Sequence, residues 1–292
     1  MASNHYVASI DIGTEKIALL VAEQEDNGHL RIIGHNVCDS EGVKKGSLYS
    51  IDSLVRVIRT LIKKTQESFD LGLVRVRVNI SDTHLTCTDG KGKVSINETV
   101  SLEDLNSVLK SAMAMSTPTN KEKLHTIQKK FIINETVEVD NPIEMEAQVL
   151  ESKVHIVTVS SSSVRNIEKC LNQSDLEIEK IVLNPIAKSQ AILTQEEKNS
   201  GVCLVDIGAG VTSYSIFHEA GIIRSGVIAF GGDEVTQEIA YAFDTSFDEA
   251  RRLKESYGIA KSSSLNEEIF IDFMQLTNKN EHQLSSFELS EV

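Results

Sequence analysis

An α/β fold of two lobes is what the sequence predicts, and three observations predict it. The stretch Val202–Gly232 reads VCLVDIGAGVTSYSIFHEAGIIRSGVIAFGG: an apolar run, a glycine bend, an alternating segment, a turn at Ala220-Gly221 and a second apolar run. That pattern spells strand, tight turn, strand, turn, strand. The same order stands near the N-terminus. Val7–Gly13 (VASIDIG) enters the bend Asp11-Ile12-Gly13-Thr14, Lys16–Glu23 alternates, Asp26-Asn27-Gly28 signals a hairpin, and Leu30–Asn36 returns. Repetition of one unit within a chain changes the fold to expect. Third, 292 residues with 40% apolar and 25% charged content suit two domains, or one large two-lobed one, around a buried core.

The repeated bends carry the chemistry. A glycine there permits φ > 0 and removes the Cβ that would hold backbone N–H groups away from an anion. An aspartate ends each incoming strand, Asp11 in one copy and Asp206 in the other. Such a carboxylate can hold hydrated Mg²⁺, which is usually bound by one or two carboxylates plus phosphates. One Asp-x-Gly alone is explained as well by an ordinary hairpin in a half-buried sheet. Two copies in the same context favour a phosphate chain pinched between facing bends.

Taken in order, residues 1–80 read as the first-lobe core. After the strand trio, Ile51, Leu54, Val55, Ile58, Leu61 and Ile62 recur at helical spacing and predict a helix over 50–69 with one buried stripe. Leu73–Ile80 follows as a strand. Residues 81–153 break the pattern and read as an α+β insertion. Its expected parts are a strand at His84–Thr88, a turn over Thr88–Gly92, a helix from Ser101 with Asp104 that ends before Pro118, a polar loop at Thr117–Lys123, and a strand at Phe131–Val139.

Residues 154–196 return to the first-lobe core. Lys153–Val159 is the returning strand, Ser160–Ser163 offers N-caps to a helix marked by Val164, Ile167 and Leu171, and Ile178–Leu183 is a strand that Asn184-Pro185 ends before a helix from Ile186. Residues 197–240 hold the second trio and a helix opening at Gly231-Gly232-Asp233-Glu234. The two glycines can receive an anion or a ribose hydroxyl, and a plain N-cap by Asp233 also explains them. In 241–292, Ser246 and Glu249 form a capping-box pattern for a helix through Tyr257 with Gly258 as its C-cap, Ile269–Met274 is a short strand or helix, and Phe287–Val292 shows no cap signal.

The net charge of −14 argues against nucleic acid as a partner and against direct attraction to an anionic membrane. Lys121, Lys123, Lys129 and Lys130 form a basic patch on the insertion, read as a solvated edge in preference to a docking site for an acidic partner. Cys38, Cys87, Cys170 and Cys203 lack metal-ligand spacing and read as reduced core residues of a cytosolic protein. The longest wholly apolar run, Ile17–Ala22, is too short to span a bilayer, and the N-terminus has no signal-peptide pattern.

The paired DIGT and DIGAG loops resemble the two phosphate loops of the actin-like ATPases. The segments IDIGTEKIALLVAE, IIGHNVCDSEGVKKG, ESKVHIVTVSSSSVRNIEKCL, GVCLVDIGAG and IAYAFDTSFDEARRLKESYGIA run in order from Ser9 to Ala260 and resemble the FtsA family of bacterial cell-division proteins. The resemblance implies an actin-like (ribonuclease H-like) two-lobed α/β fold with a small α+β subdomain inserted in the first lobe at 81–153, a hinge within 154–196, and an incomplete second lobe whose partial outer subdomain is 241–292.

It also implies ATP with Mg²⁺ as a structural ligand and no catalytic residues. The implied site is Asp11, Gly13, Thr14, Lys16, Asp206, Gly208, Ala209, Gly210, Thr212, Gly231, Gly232 and Lys254, with Asp11 and Asp206 holding the metal through water. Implied partners are FtsZ, further copies of the chain in filaments, and later division proteins on the insertion. The implied place is the cytoplasmic side of the inner membrane at the division site. Two further readings within the superfamily are a pilus-assembly ATP-binding protein and an ATPase or sugar-kinase-like enzyme.

The chain departs from the family pattern in three ways. Gly208-Ala209-Gly210-Val211-Thr212-Ser213 replaces the usual Gly-Gly-Gly-Thr-x-Asp, and Ala209 is compatible only with a negative φ. Arg251 stands where the family usually places an acidic residue beside the nucleoside. The chain stops before the glycine-rich adenosine loop and before the C-terminal membrane helix, so membrane attachment is expected only through an amphipathic helix beyond Val292. It reads as a fragment cut inside the second lobe in preference to a shortened relative.

Overall fold

A computed structural model describes residues 5–69, 72–114, 117–219, 221–264, 267–277 and 279–292. The first lobe opens with β1 (His5–Ile12), β2 (Lys16–Gln24) and β3 (Leu30–Asp39), a small hairpin of β4 (Val43–Lys44) and β5 (Ser47–Leu48), helix α1 (Ile51–Phe69) and β6 (Arg75–Ile80). The insertion contributes β7 (Thr86–Ser95), α2 (Leu102–Met113), β8 (Lys121–Ile133), β9 (Val137–Val139) and β10 (Val149–Ser160). Then come α3 (Ser161–Gln173), β11 (Glu177–Leu183), α4 (Asn184–Ile192) and α5 (Gln195–Ser200). The second lobe has β12 (Val202–Ile207), β13 (Thr212–His218), β14 (Gly221–Ile228), α6 (Gly232–Ala242), α7 (Phe247–Tyr257), β15 (Phe270–Met274), β16 (Glu281–Ser285) and α8 (Ser286–Ser290). Ala220, half of an expected turn, lies outside the described residues.

Both strand trios form. β1 pairs antiparallel with β2 up to Ile12↔Ile17, and β12 pairs antiparallel with β13 up to Ile207↔Thr212, so each Asp-x-Gly stretch leaves its ladder at the same point. The first-lobe sheet runs β11-β6-β1-β2-β3, with β6 parallel to both β1 and β11. Leu54, Ile58 and Leu61 of α1 are buried against Ile10, Ile17, Leu19 and Val78 of this sheet, and only Ile51 of the expected stripe is partly exposed. Gly28 turns the β2–β3 hairpin with φ +84°, a conformation that L side chains rarely adopt.

The insertion and its exit differ from the sequence reading at several places. Thr88–Gly92 is not a turn but the middle of the ten-residue strand β7. The glycines are there because α2 packs on that strand: a Cβ on Gly90 would lie 2.1 Å from the Ala112 carbonyl oxygen, and one on Gly92 2.1 Å from that of Val108. The polar loop at Thr117–Lys123 is shorter than expected because β8 begins at Lys121, and the expected strand at Phe131–Val139 is divided by a turn between β8 and β9. Lys153–Val159 does not rejoin the first-lobe sheet; β10 is the centre of the insertion's own sheet, ordered β7-β10-β8-β9. Ser160 makes no side-chain cap to α3, and its hydroxyl meets Ser162 instead.

His125 on β8 joins the insertion to the first lobe by accepting the Leu183 N–H of β11 (2.9 Å). Only a neutral imidazole can accept there. Burial, with a smaller push from Lys180, lowers its pKa from 6.5 to about 4. Because the folded value is depressed, the stabilisation is present above pH 6.5 and is lost as pH falls toward about 4. An acid limb on the order of 1–2 kcal/mol, after allowance for solvent screening, is expected in urea melts and should be absent in His125→Gln.

In the second lobe α6 begins at Gly232, so Asp233 lies in its first turn and is not the N-cap; the Glu234 carboxylate caps the end by accepting the Gly231 N–H (2.8 Å). Ser246 caps α7 through the Glu249 N–H (3.2 Å), while the Glu249 carboxylate goes to Arg252, leaving the other half of that capping box unmade. Ile269–Met274 resolves as the strand β15. A helix does form near the end, α8, with Ser285 and Glu288 as a reciprocal cap. Among the described residues no helix is long and apolar enough to cross a membrane.

Candidate functional site

The two bends are copies of one turn. The Gly13 N–H donates to the Lys16 carbonyl (3.0 Å) and the Gly208 N–H to the Val211 carbonyl (2.9 Å). A Cβ would meet the same accepting oxygen in each case, at 2.8 Å and 3.0 Å. Gly13, Gly208 and Gly210 all have negative φ, so close approach explains them and the expected φ > 0 does not. Ala209 also has a negative φ, as its side chain requires. Among the described residues, the N–H groups of Thr14, Glu15, Ala209 and Gly210 make no hydrogen bond within the chain. They are the donors that an anion between the bends would find.

The bends face each other across a cleft of about 410 Å³. Its walls include Asp11, Gly13, Thr14, Lys16, Asp206, Gly208, Ala209, Gly210, Gly232 and Lys254. Thr212 and Gly231 lie off the cleft. The Thr212 hydroxyl donates to the Phe230 carbonyl (2.7 Å) and the Gly231 N–H is taken by Glu234. The start of α6 is no open anion site either, because the Gly232 and Asp233 N–H groups donate to the Gly208 and Ala209 carbonyls (2.9 and 2.8 Å). These bonds hold the second bend against the helix. A Cβ on Gly231 would lie 2.4 Å from the Ala209 oxygen, which accounts for the glycine without a ligand. Lys254 donates to the Gly232 carbonyl (2.9 Å) and the Thr236 hydroxyl (2.7 Å) while facing the cleft.

Both aspartates are oriented by neighbours that sequence reasoning missed. Lys188 on α4 donates to Asp206 Oδ2 (2.6 Å), and the Ser213 hydroxyl donates to the same oxygen (3.2 Å). Asn79 on β6 donates to Asp11 Oδ1 and accepts the Ile12 N–H (2.7 Å). Among the described residues no donor reaches Asp11 Oδ2 or Asp206 Oδ1, so each carboxylate keeps one oxygen for a hydrated cation. Lys188 had one visible signal, since it is the sole charge in the helix NPIAKSQAI. Asn79 had only its place in the alternation of β6.

The lobes also touch. A Cβ on Gly210 would lie 2.7 Å from Thr14 Oγ1, which puts the second bend against the first. Lys45 reaches from the β4–β5 turn to Glu234 on α6 (2.6 Å). Partial burial alone would raise the Glu234 pKa, but Lys45 and the Gly231 N–H outweigh it and hold the carboxyl below its ordinary range. Arg251, on α7, bridges Glu15 of the first bend (3.4 Å) and Asp233 (3.9 Å). The basic patch is spent within the chain: Lys121 meets His84 and Thr86, Lys123 meets Met113, Lys129 meets Asp89 and Lys130 meets Glu219. Cys170 is buried, Cys38 and Cys87 are half-buried, and Cys203 is exposed, so Cys203 is no core residue.

Residues 82–158 match the family description "SHS2 domain inserted in FTSA", and residues 203–290 match "Cell division protein FtsA". A cell division protein FtsA of Pseudomonas aeruginosa is 34% identical over 99% of this chain and 70% of its own length. That of Neisseria meningitidis is 30% identical over 98% of the chain and 70% of its own length. The chain belongs to the FtsA family of cell division proteins. Solved structures extend the likeness to the fold. A PilM–PilN type IV pilus biogenesis complex matches with TM-score 0.62 at 14% identity, covering 86% of this chain and 69% of that one. MreB5 of Spiroplasma citri bound to ADP matches with TM-score 0.55 at 11% identity, covering 98% and 73%. The FtsA chain thus has the actin-like fold, with the inserted domain expected from the sequence. Within it, Ser213 is buried on Asp206, and Val211 is buried against Gly46 at the lobe contact.

Proposed function

We propose that this FtsA-family chain binds Mg²⁺–ATP in the cleft as a structural ligand and acts as an adaptor in division. It would assemble with further copies of itself, receive later division proteins on the insertion, and join FtsZ to the inner membrane where a C-terminal amphipathic helix supplies the attachment. The observation that supports ATP is the pair of equivalent bends, which bring four residues with unbonded N–H groups and two half-free carboxylates to the walls of one cleft. Bound Mg²⁺ would offset the phosphate charge. The residues of this chain do the rest: the bends bind the phosphates, Lys188 and Asn79 hold Asp206 and Asp11 in place, and Lys254 faces the nucleoside end from α7. A structural role is preferred to catalysis because phosphoryl transfer needs a base or water-positioning group, and Ser213 replaces the loop carboxylate the family usually has.

The pilus-assembly reading rests on fold alone at 14% identity, whereas the division reading rests on 34% identity along the whole chain. The test is calorimetric titration with Mg²⁺–ATP, followed by co-sedimentation with FtsZ polymers on lipid vesicles. Binding without steady-state phosphate release, and nucleotide-dependent recovery with FtsZ, are expected. Turnover that disappears in Asp206→Ala would replace the adaptor with an enzyme. No recovery with FtsZ, together with absence of the protein from mid-cell, would end the adaptor reading.

A further inference from the structure

A second constellation lies where the insertion meets the second lobe. Cys87 and Asp89 are two apart on β7 and share a face. In the β7–β10 register Asp89 is opposite His155 and Cys87 opposite Val157, so His155 lies diagonal to Cys87 on that face. His155 Nδ1 meets Asp89 Oδ1 at 3.1 Å. The carboxylate accepts a hydrogen bond from Nδ1–H, which leaves the lone pair on Nε2. That Nε2 is buried, on a residue 1% exposed, and makes no hydrogen bond among the described residues. Cys87 is the diagonal neighbour of the ring on that face, and its thiol now donates to the Ser225 carbonyl of β14 (3.2 Å), beside the Ser225 hydroxyl (3.2 Å). An unsatisfied buried base therefore stands next to a thiol that has a proton to give.

We propose that Cys87 is a reactive thiol toward hydrogen peroxide and soft electrophiles, activated by the Asp89–His155 pair. The thiol proton moves to His155 Nε2, and the thiolate is held by the Ser225 hydroxyl and the imidazolium, which Asp89 balances. With peroxide, the thiolate sulfur attacks one oxygen, an S–O bond forms and the O–O bond breaks. The departing hydroxide takes the proton from His155 and leaves as water. Sulfur is oxidised to a sulfenic acid and the peroxide is reduced. With iodoacetamide the S–C bond forms and iodide leaves. Burial alone would push the thiol up, yet His155 and Ser225 together bring it below its ordinary value. Burial alone would push His155 down, yet Cys87 and Asp89 raise it against the opposing charge of Lys129, which pairs with Asp89 at 2.9 Å. Among the described residues Cys170 has no such partners, and burial pushes it up to about 11.

Native labelling with iodoacetamide between about pH 6 and pH 8.5, read by peptide mass spectrometry, tests this with the exposed Cys203 as internal standard. Cys87 is expected to react about tenfold faster than Cys203 at the acid end, with the gap closing as ordinary thiols ionise. His155→Phe and Asp89→Asn should each slow Cys87 and leave Cys203 unchanged, with circular dichroism confirming the fold. The Asp89 side chain is 51% exposed, so its variant keeps the test alive should the buried His155 variant not fold. Brief peroxide followed by dimedone should tag Cys87. A Cys87 rate that tracks Cys203 with pH, or that ignores Asp89→Asn, would overturn the proposal.

Discussion

Gly92→Val is expected to destabilise the protein by about 3 kcal/mol, at the upper end for overpacking, because the obstacle is backbone and not a flexible side chain. The new Cβ would lie 2.1 Å from the Val108 oxygen and 2.5 Å from the Ala112 nitrogen. Helix α2 would have to lift from β7, and Val108 and Ala112, both fully buried, would lose their contacts. Val108 belongs to the cluster with Ile96, Phe131 and Leu150, so the loss reaches the centre of the insertion. Gly90→Val should behave alike, since its Cβ would meet the Ala112 oxygen at 2.1 Å. Gly72→Ala is the control: among the described residues nothing lies within 4 Å of its Cβ, and its φ lies outside the left-handed range, so a change near zero is expected. Urea midpoints measured on the three variants check this. If Gly92→Val unfolds with the wild-type midpoint, α2 does not sit on β7 as described.

Asp206→Ala should raise the Kd for Mg²⁺–ATP by about tenfold or more, corresponding to at least about 1.4 kcal/mol. The carboxylate is on the residue before the last of β12, at the second bend; one of its oxygens is held by Lys188 at 2.6 Å, and the other has no donor among the described residues. Removing it takes away the cation's oxygen ligand and leaves Lys188 without its partner. Lys188→Ala should also weaken binding, since the amine lines the cleft, and the double variant should lose less than the sum of the single changes because the two groups act as a pair. Asp11→Ala tests the other bend in the same way. Calorimetry on the wild type and the single aspartate variants decides: equal affinities would remove the claim that these bends hold a phosphate chain.

What was legible in the sequence was local. The two strand trios, their Asp-x-Gly bends and the stripe of α1 follow from periodicity and turn chemistry within a few residues, and all formed where expected. Where the reading failed, the deciding contact came from far along the chain. Gly90 and Gly92 carry a turn's composition, yet the approach of α2 makes them the middle of a strand. Gly231 and Gly232 resemble an open anion site, yet the carbonyls of residues 208 and 209 use the amides of residues 232 and 233. A basic patch in the sequence is a set of lysines each already engaged.

By itself, then, the sequence determined the repeated unit, the two-lobed plan and the identity of the two bends, because each depends on neighbours in the chain. Only the tertiary structure decided that Lys188 and Asn79 orient the two aspartates, that Lys45 and Arg251 bridge the cleft, and that β10 belongs to the insertion. A residue's type limits the contacts it can make, but which contact it does make is settled by what the rest of the fold brings within a few ångströms of it.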